Sequence, residues 1–418
     1  MIQVVSKKIT STVSKNGERD YKDMLPEGAK NKDRNLREIS SYVIGKVKKH
    51  VYPVLELPGR HNIQWGSEEI LDIVMYAGKR YACLEDTVNS LNFRKPQIIK
   101  GITVPCVPNA KTVFRRIKKI DTKEWIFRYE RANRKLLEHA RKARVFKGFV
   151  DLSIDIHDIP YYGDKNTKGV VGTKRKLGTN WAFRYMTVCV TSQKDRYTLS
   201  AVPMNEFSST HRTLKDLLKK SLQYIDGHVG CVYVDRGFFN VLCIKTFEDL
   251  GLKYLMPAIK NKKIRGIIKR TKDFPAVIPY TLGSRNKTVD FTLILIENIK
   301  GTGKKRKREI YAFATNVCVE ERDVEKLCKL YGNRWTIETS YRMLGEVRTK
   351  TTCKIYSVRW FFVLFGLLVR NGYYLFNDVI RWWGHVTLLT FAELVCMKRN
   401  ERIHSYDMND NRKGGLTC

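Results

Sequence analysis

Apolar and polar residues recur with two different periods along the chain, and the change of period predicts two kinds of structure. Apolar residues recur at helical spacing in residues 67–78, and shorter helices are predicted at 83–91 and 110–120. A long charged helix is predicted at 122–145. The first part of the chain is therefore expected to be helical.

After this helical part the pattern becomes strand-like. Strands are predicted at residues 148–160, within the β-rich stretch 185–202 and at 231–235. A helix is predicted at 213–224, and another follows the last of these strands. Because strands and helices alternate, this region is predicted to be an α/β domain.

A basic, β-leaning block at residues 259–314 interrupts the alternation and ends in the run KGTGKKRKRE. The charged run is interpreted as a solvated loop, as a contact to the DNA backbone or as a nuclear import signal. A single helix is predicted from Glu321 to about Thr349, followed by apolar helices. The longest apolar run, Trp360 to Val369, is far shorter than the ~20 residues that span a bilayer, so it is predicted to be a buried core helix.

The charge balance favours a polyanionic partner. Lys and Arg total 78 against 42 Asp and Glu in 418 residues, a formal net charge of +36. Such a protein attracts phosphates and releases their counterions, so double-stranded DNA is the expected partner. A ribosomal, merely basic or membrane-surface protein has a similar charge. The length, which suggests two or three domains, and the carboxylates on predicted buried strands argue against these classes.

Cysteine usage and the first residues indicate an intracellular protein. The ten Cys are scattered, with no C-x-x-C pair and no His at zinc spacing, so reduced thiols are expected. They include Cys83, Cys106, Cys189, Cys231, Cys318 and Cys396. Residues 1–30 are polar and charged, without the apolar core of a signal peptide. We therefore expect a cytoplasmic protein that does not associate with membranes.

The helix predicted at 110–120 has one apolar and one strongly basic face. Val113, Phe114 and Ile117 are expected to point inward. The cations expected on the remaining surface are Lys111, Arg115, Arg116, Lys118 and Lys119. Two interpretations stay open, a helix-turn-helix-like DNA reader and a solvated basic helix on a helical bundle.

Carboxylates stand at the strand positions where α/β sheets bind ligands. In the first strand, Asp151 and Asp155 share one face, because side chains alternate along a strand. Both are candidates for the same role because they share this face. Asp155 is flanked by isoleucines, and a carboxylate there is costly unless it is paired or bound to a metal. Asp235 ends the apolar strand CVYV, at its carboxyl end.

A third carboxylate lies on the helix predicted after the basic block. Tyr331, Arg334, Glu338 and Arg342 stand at offsets 0, 3, 7 and 11. These offsets fall within roughly 80° of arc on a helix, so the four residues form one polar stripe. Glu338 is expected between core and cleft, beside an apolar stripe that consists of Leu330, Ile337, Tyr341 and Leu344.

Three such carboxylates suit Mg²⁺, a hard ion that prefers oxygen ligands, with Mn²⁺ as a substitute. Two ions about 4 Å apart would serve an in-line phosphoryl transfer. The alternative for each carboxylate taken alone is a helix cap or a salt-bridge partner.

These motifs resemble those of prokaryotic insertion-sequence transposases, which carry a DDE triad on a ribonuclease H-like fold. The first motif of the family is matched by Asp155 with Pro-Tyr-Tyr-Gly at 160–163, and the second by Asp-Arg-Gly-Phe at 235–238. The third, Tyr-x-x-Arg-x-x-x-Glu, is matched by Tyr331, Arg334 and Glu338. The resemblance covers about residues 145–375 and favours Asp155 over Asp151.

The resemblance implies a domain plan in which an α/β ribonuclease H-like catalytic domain with a β-rich insertion follows an α-helical DNA-binding region. The regions are 1–145, helical and DNA-binding; 146–258 with 315–385, catalytic; 259–314, a basic β-rich insertion; and 386–418, a tail. The insertion is typical of the insertion-sequence-four group, in which it helps to hold the transposon end.

The resemblance also implies which residues contact DNA. The expected set is Tyr331, Arg334, Arg342, Arg348 and Arg236, with Arg115, Arg116, Lys118 and Lys119 of the basic helix. The family usually has a Lys after Glu338 and six intervening residues, where this chain has Gly345, so Arg342 or Arg348 is expected to replace it. His157 and Asp158 are candidates for supporting the site, or alternatively a core His and a capping Asp.

The expected function is DNA transposition. The metal-bound catalytic triad Asp155, Asp235 and Glu338 would cleave the DNA at the terminal inverted repeats and join the 3′-hydroxyl ends to target DNA. A homodimer in the DNA complex and association with the nucleoid are expected as well. Two rival functions are a catalytically inactive or domesticated DNA-binding protein and a nuclease of the same fold that cuts without joining.

Overall fold

The computed structural model describes most of the chain between residues 44 and 395. The described residues are 44–45, 48–59, 64–94, 97–99, 102–191, 196–284, 287–300, 307–380, 387–389, 391–392 and 395. Cys396, most of the KGTGKKRKRE run and most of the predicted tail therefore lie outside the described residues.

The described elements follow the predicted change from helices to strands. The helices are α1 (Ser67–Lys79), α2 (Leu84–Arg94), α3 (Ala110–Ile117), α4 (Thr122–Lys142), α5 (Thr210–Leu222), α6 (Val241–Asp249), α7 (Lys262–Arg270), α8 (Val324–Tyr331), α9 (Trp335–Val347) and α10 (Tyr356–Ile380). The strands are β1 (Gln97–Ile99), β2 (Ile102–Val104), β3 (Phe149–Pro160), β4 (Val170–Lys176), β5 (Thr179–Val190), β6 (Thr198–Met204), β7 (His228–Val234), β8 (Tyr254–Pro257), β9 (Ala276–Ser284), β10 (Lys287–Lys300) and β11 (Lys307–Thr315).

The chain forms two compact units. Residues 1–145 and 343–418 make up the helical unit, and residues 146–342 make up the sheet unit. The division into four regions expected from the sequence stays a prediction.

The helical unit is organised around α10. The predicted core helix is confirmed, because the run from Trp360 to Val369 lies inside α10 and is buried. The α4 ring of Trp125 packs against Phe361 with ring centroids 4.4 Å apart. Asn371 of α10 donates a buried hydrogen bond of 2.7 Å to Asn133 of α4, which satisfies two polar groups inside an apolar contact.

Sequence features explain where several helices of this unit begin. Asn109 and Asp121 accept backbone N–H groups of Thr112 and Glu124, each at 2.8 Å, and so cap α3 and α4. Between α2 and α3 lies an antiparallel hairpin of β1 and β2, which the apolar pattern did not predict. Among the described helices, none is long and apolar enough to cross a membrane.

The sheet unit contains one mixed sheet. Its main path is β4-β5-β3-β7-β8-β11-β10-β9, and β6 pairs with the half of β5 that β4 leaves free. β3 pairs antiparallel with β5 but parallel with β7, and β7 is parallel to β8. The block at 259–314 begins with α7 and continues with β9, β10 and β11, and these strands extend the same sheet through β8.

The prediction of one helix from Glu321 to Thr349 is wrong. The structure has two helices, α8 and α9, separated by a 3-10 turn at Gly332–Arg334. Glycine has the lowest helix propensity after proline, so the α-helix is weakest at Gly332. There the backbone hydrogen bonds change from the α-helical to the tighter 3-10 pattern. Leu330, expected in the apolar stripe of that helix, is 41% exposed, whereas Ile337 and Leu344 are buried.

Arg116 is not on the surface where the sequence pattern predicted it. Its side chain is only 5% exposed, and its guanidinium donates hydrogen bonds to the carbonyl oxygens of Leu57, Pro58 and Trp65. These carbonyls belong to an irregular segment before α1, and buried carbonyls need donors. Arg116 is therefore a structural residue here, and its guanidinium is not available to a DNA phosphate.

We expect Arg116→Ala to lower the free energy of unfolding by roughly 2–4 kcal/mol, because buried carbonyls lose their hydrogen-bond donors. Urea unfolding followed by tryptophan fluorescence measures the change. The matched control is Arg115→Ala, which removes an exposed arginine from the same helix and should change stability little. Equal stability of the two variants would contradict the structural role of Arg116.

Candidate active site

The first candidate carboxylate, Asp155, lies on β3 directly beside the end of β7. Ile154 pairs with Val234 in the parallel β3–β7 register, so Asp155 and Asp235 are the next residues on their two chains. Asp155 is half-buried, and its neighbour Ile154 is fully buried. The strand pairing therefore brings together two carboxylates that are 80 residues apart in the sequence.

The second candidate, Asp235, caps the short turn that follows β7. Its Oδ1 accepts the backbone N–H of Gly237 at 2.6 Å. A Cβ atom on Gly237 would lie 2.9 Å from that oxygen, so glycine leaves the carboxylate room in the turn. Asp235 is half-buried at the carboxyl end of a parallel strand, as predicted.

The third candidate, Glu338, is on α9 and is more exposed than expected. Its side chain is 43% exposed, and its Oε1 accepts a hydrogen bond of 2.9 Å from Nη2 of Arg334. Ile337 beside it is buried, so the boundary between core and solvent does run along this helix, with Glu338 on the solvent side.

A buried tyrosine docks α9 onto the sheet at the level of Asp155. The hydroxyl of Tyr341 donates to the carbonyl oxygen of Asp155 at 3.3 Å and lies 2.8 Å from the hydroxyl of Thr187. Asp155 and Thr187 are cross-strand partners on β3 and β5. Because Tyr341 is one helical turn from Glu338, this contact holds the third carboxylate near the first.

The charged groups of the site influence one another. Burial raises the pKa of Asp155 to about 7, and the Asp235 carboxylate raises it as well. Arg334 acts in the opposite direction, and Glu338 adds a smaller increase. Burial is the largest cause of this shift, and the neighbouring carboxylates add to it because like charges disfavour ionisation.

The donor atoms fit a hard divalent cation. Asp155, Asp235 and Glu338 offer only oxygen, the ligand that Mg²⁺ prefers. A bound cation would offset the burial that mainly raises the pKa of Asp155, together with the repulsion from Asp235. Within the described part of the chain, no three His, Cys, Asp or Glu side chains already form a group that could hold one metal ion. One reason is that the carboxylate of Glu338 is paired with Arg334 and is not directed at the other two carboxylates.

Asp151, the alternative first carboxylate, makes different contacts. Its Oδ1 accepts the backbone N–H of Cys231 at 2.8 Å, and its Oδ2 accepts the hydroxyl of Tyr233 at 3.2 Å. Burial raises its pKa, and these two hydrogen bonds oppose the increase. Asp151 therefore contacts β7, away from the acidic group around Asp155.

The two candidates for supporting the site are part of the packing. Asp158 forms a bidentate ion pair with Arg184 at 2.7 and 2.8 Å and accepts the hydroxyl of Thr173 at 2.6 Å. His157 packs against Tyr341, with ring centroids 4.3 Å apart. Asp158 thus ties β3 to β4 and β5, while His157 lies beneath the helix that carries Glu338.

Arg334 lies between two aromatic side chains. Its guanidinium is 5.8 Å from the ring centre of Tyr331 and 5.5 Å from that of Trp335. The Tyr331 hydroxyl donates to the carbonyl oxygen of Val234 at 3.1 Å, so Tyr331 also packs α8 onto β7. Trp335 is 61% exposed and was missed by the sequence analysis, although its position directly after Arg334 was a usable signal.

The remaining predicted DNA contacts fall into three groups. Arg236 and Arg342 are exposed in the sheet unit. Arg348 is half-buried in the helical unit, and a Cβ atom at the nearby Gly345 would meet nothing within 4 Å. On α3 and just after it, Arg115, Lys118 and Lys119 are exposed. Their contacts with DNA stay predictions.

The raised pKa of Asp155 predicts a pH dependence of stability. The pKa is about 7 in the folded chain and about 3.9 in an unfolded chain. Wild type should therefore lose stability relative to Asp155→Asn as the pH rises from about 4 to about 7, with no further loss above that. Urea midpoints of both proteins, measured without divalent metal across this range, test the expectation.

Asp158→Asn is the control, because the pKa of Asp158 is lowered and its stability should change with pH in the opposite direction. Burial raises the pKa of Asp158, but the hydrogen bonds from Arg184 and Thr173 outweigh burial and lower it. Wild type should therefore exceed Asp158→Asn in stability above about pH 4 and lose that advantage as the pH falls further. A constant difference between wild type and Asp155→Asn from pH 4 to 7 would contradict the raised pKa.

Comparison with known proteins identifies the family of this chain. The family model described as a transposase DDE domain matches residues 150–370, which is more than half of the chain and includes β3, β7 and α9. No curated protein matches the sequence. The ribonuclease H-like fold that this family implies agrees with the mixed sheet, in which β3 lies between antiparallel β5 and parallel β7. The chain belongs to the transposase DDE domain family.

Proposed function

We propose that this protein is a DNA transposase of the insertion-sequence-four-like group, which cleaves the ends of a mobile element and joins the freed 3′-hydroxyls to target DNA. One observation carries the proposal: strand pairing places Asp155 beside Asp235, and Tyr341 holds α9, which carries Glu338, against the same strand. The three residues come from the three motifs of the family, in the same order along the chain, and lie inside the matched residues.

Asp155, Asp235 and Glu338 are the proposed ligands of two divalent cations, with Mg²⁺ expected and Mn²⁺ as a substitute. When bound, such a pair of ions activates the attacking oxygen and stabilises the leaving oxygen of a phosphoryl transfer. Glu338 has to leave its ion pair with Arg334 to join the other two carboxylates, and its exposure leaves its side chain free to turn.

Arg334 is the proposed contact to the phosphate at the DNA end. Its Nε is buried and has no hydrogen-bond partner among the described residues, although a guanidinium has five N–H donors to satisfy. Two oxygens of a phosphate can accept hydrogen bonds from two guanidinium nitrogens at once, and this bidentate contact would orient the reacting group. Exposed Trp335 offers a flat surface on which a base beside that phosphate would stack.

The remaining basic residues are proposed to hold the DNA backbone. Arg236 and Arg342 are exposed in the same unit as the carboxylates, and Arg115, Lys118 and Lys119 are exposed on the helical unit. We propose double-stranded terminal inverted repeats and target DNA as substrates, bound by a homodimer, and an association with the nucleoid. The net charge of +36 supports a polyanionic substrate.

The test is cleavage and strand transfer on labelled DNA that carries the repeats flanking the gene. Asp155→Asn, Asp235→Asn and Glu338→Gln should each lower the rate by at least about 100-fold, because each removes negative charge that holds the cations. Asp216→Asn is the matched control, because it neutralises an exposed carboxylate of α5 in the same unit and should keep wild-type activity.

Each outcome of this assay has a distinct meaning. Metal-dependent cutting and joining by wild type, with loss in the three variants and unchanged DNA binding, supports the proposal. Cutting without any joined product would identify a nuclease. Tight binding of the repeats with no cutting by wild type in Mg²⁺ or Mn²⁺ would identify a DNA-binding protein and overturn the proposal.

A further inference from the structure

Parallel pairing between β3 and β7 contains an irregularity next to Asp151. Val150 pairs with Val229, but Leu152 pairs with Val232, so β7 has one more residue than β3 between these two pairs. An extra residue of this kind is a β-bulge, and it leaves a backbone polar group without its usual partner in the ladder.

The side chain of Asp151 replaces the missing ladder partner. Its Oδ1 accepts the backbone N–H of Cys231, which lies inside the bulge, at 2.8 Å. Its Oδ2 accepts the hydroxyl of Tyr233, two residues further along β7, at 3.2 Å. An unpaired buried N–H is costly, so this carboxylate stabilises the bulged arrangement over a regular one.

Gly230 makes room for this carboxylate. A Cβ atom on Gly230 would lie 2.4 Å from Oδ1 of Asp151, closer than real Cβ contacts allow. Any other residue at this position would therefore push the carboxylate away from the N–H of Cys231. The bulge depends on an aspartate on one strand and a glycine on the other.

The bulge determines which residues face each other at the active site. Beyond it, Ser153 pairs with Tyr233 and Ile154 with Val234, which brings Asp155 to Asp235. A slip by one residue would move Asp235 by about 3.3 Å and turn its side chain to the other face of the sheet.

We propose that Asp151 is a positioning residue, whose carboxylate locks the bulge in β7 and thereby sets the register that brings Asp155 and Asp235 together. This inference rests on the proposed function of the two carboxylates as metal ligands. It gives Asp151 a role through the backbone of β7, distinct from that of a ligand.

Asparagine tests the inference because its side-chain oxygen still accepts the N–H of Cys231. We expect Asp151→Asn to cleave DNA within about threefold of wild type, and Asp151→Ala to cleave about 10- to 100-fold more slowly, as for other residues that orient metal ligands. Asp151→Ala should also speed amide hydrogen exchange at Cys231, whose N–H loses its acceptor, whereas Asp151→Asn should keep that amide protected.

Gly230→Ala provides an independent test from the other strand. Alone, it should slow cleavage about as much as Asp151→Ala. The double variant should be no slower than Asp151→Ala, because removal of the carboxylate removes the clash, and this non-additivity is the signature of a shared contact.

Several results would overturn the inference. If Asp151→Asn lost as much cleavage as Asp155→Asn, Asp151 would be a metal ligand and not a positioning residue. Wild-type cleavage by Asp151→Ala, with the Cys231 amide still protected from exchange, would remove its positioning role. Additive effects of the two substitutions would refute the shared contact. Amide exchange at Cys231 needs no DNA, so a protein that never cleaves DNA but shows the expected difference between the two variants separates this inference from the proposed function.

A second inference concerns the hairpin of β4 and β5, whose tip carries three neighbouring cations. Lys174, Arg175 and Lys176 are exposed, and none of them forms an ion pair within the part of the chain that the structure describes. The turn itself is tight, because Leu177 and Gly178 have φ angles of 51° and 86°, the left-handed pair that two-residue hairpins favour.

This hairpin is held rigidly at its tip. The hydroxyl of Tyr162 donates to the carbonyl oxygen of Leu177 at 2.8 Å. The hydroxyl of Thr179 donates to the backbone carbonyl oxygen of Tyr161 at 2.6 Å. A fixed cluster of unpaired cations loses less conformational freedom on binding an anion than a mobile one does.

Strand geometry gives the distance from the tip to the active site. Asp155 pairs with Thr187, and β5 begins eight residues earlier at Thr179. At about 3.3 Å per residue this is roughly 26 Å, the length of about eight base pairs. We infer that the hairpin tip binds backbone phosphates about eight base pairs from the phosphate that is cleaved.

Salt-dependent DNA binding tests this surface. Affinity for DNA falls as salt rises, with a steepness set by the number of phosphate contacts. Replacement of Lys174, Arg175 and Lys176 by Ala should make the plot of log affinity against log salt shallower by about 2–3, because up to three phosphate contacts are lost. Phosphate-ethylation interference should disappear about eight base pairs from the cleaved position. The charge-matched control replaces Arg212, Lys219 and Lys245, three exposed cations of α5 and α6, and should leave slope and interference unchanged.

An unchanged slope and interference pattern in the hairpin variant, with normal DNA binding by wild type, would overturn this second inference alone. Failure of wild type to bind the repeats at all would overturn the proposed function together with it.

Discussion

Repulsion between carboxylates in a partly desolvated place is the constraint on which this structure depends. Burial raises the pKa of Asp155, and Asp235 and Glu338 raise it further. In the unfolded chain these charges are far apart and hydrated. Packing and strand pairing elsewhere therefore have to offset the free energy that it costs to bring them together in the folded state. Arg334 compensates part of the charge in the described state, and a divalent cation is the natural ligand for the rest.

Two tyrosine hydroxyls connect helices to the strands at the point where the carboxylates meet. Tyr341 of α9 reaches the carbonyl of Asp155, and Tyr331 of α8 reaches that of Val234, directly before Asp235. The 3-10 turn between these helices carries Arg334. Each helix is thus fixed to a different strand, and the 3-10 turn lies between the two contacts.

Burial separates the charged residues of this protein into two classes. Arg116, Asp158 and Asp151 satisfy backbone or side-chain partners inside the fold. Exposed cations such as Lys118 and Arg342 face the solvent, and such residues account for the attraction to polyanions. A count of charges in the sequence does not distinguish these classes, because exposure depends on which surfaces other elements cover.

The sequence by itself determined the order of helices and strands, the three carboxylate motifs and the buried α10, since these follow from local periodicity and from residues close in the chain. It did not reveal the break at Gly332, the burial of Arg116 or the bulge at which Asp151 bonds to Cys231. Strand register and side-chain contacts decide those points: the bulge in β7 turns Asp151 toward Cys231 and brings Asp155 beside Asp235. Such contacts join residues some 80 positions apart, a separation at which local pattern carries no information.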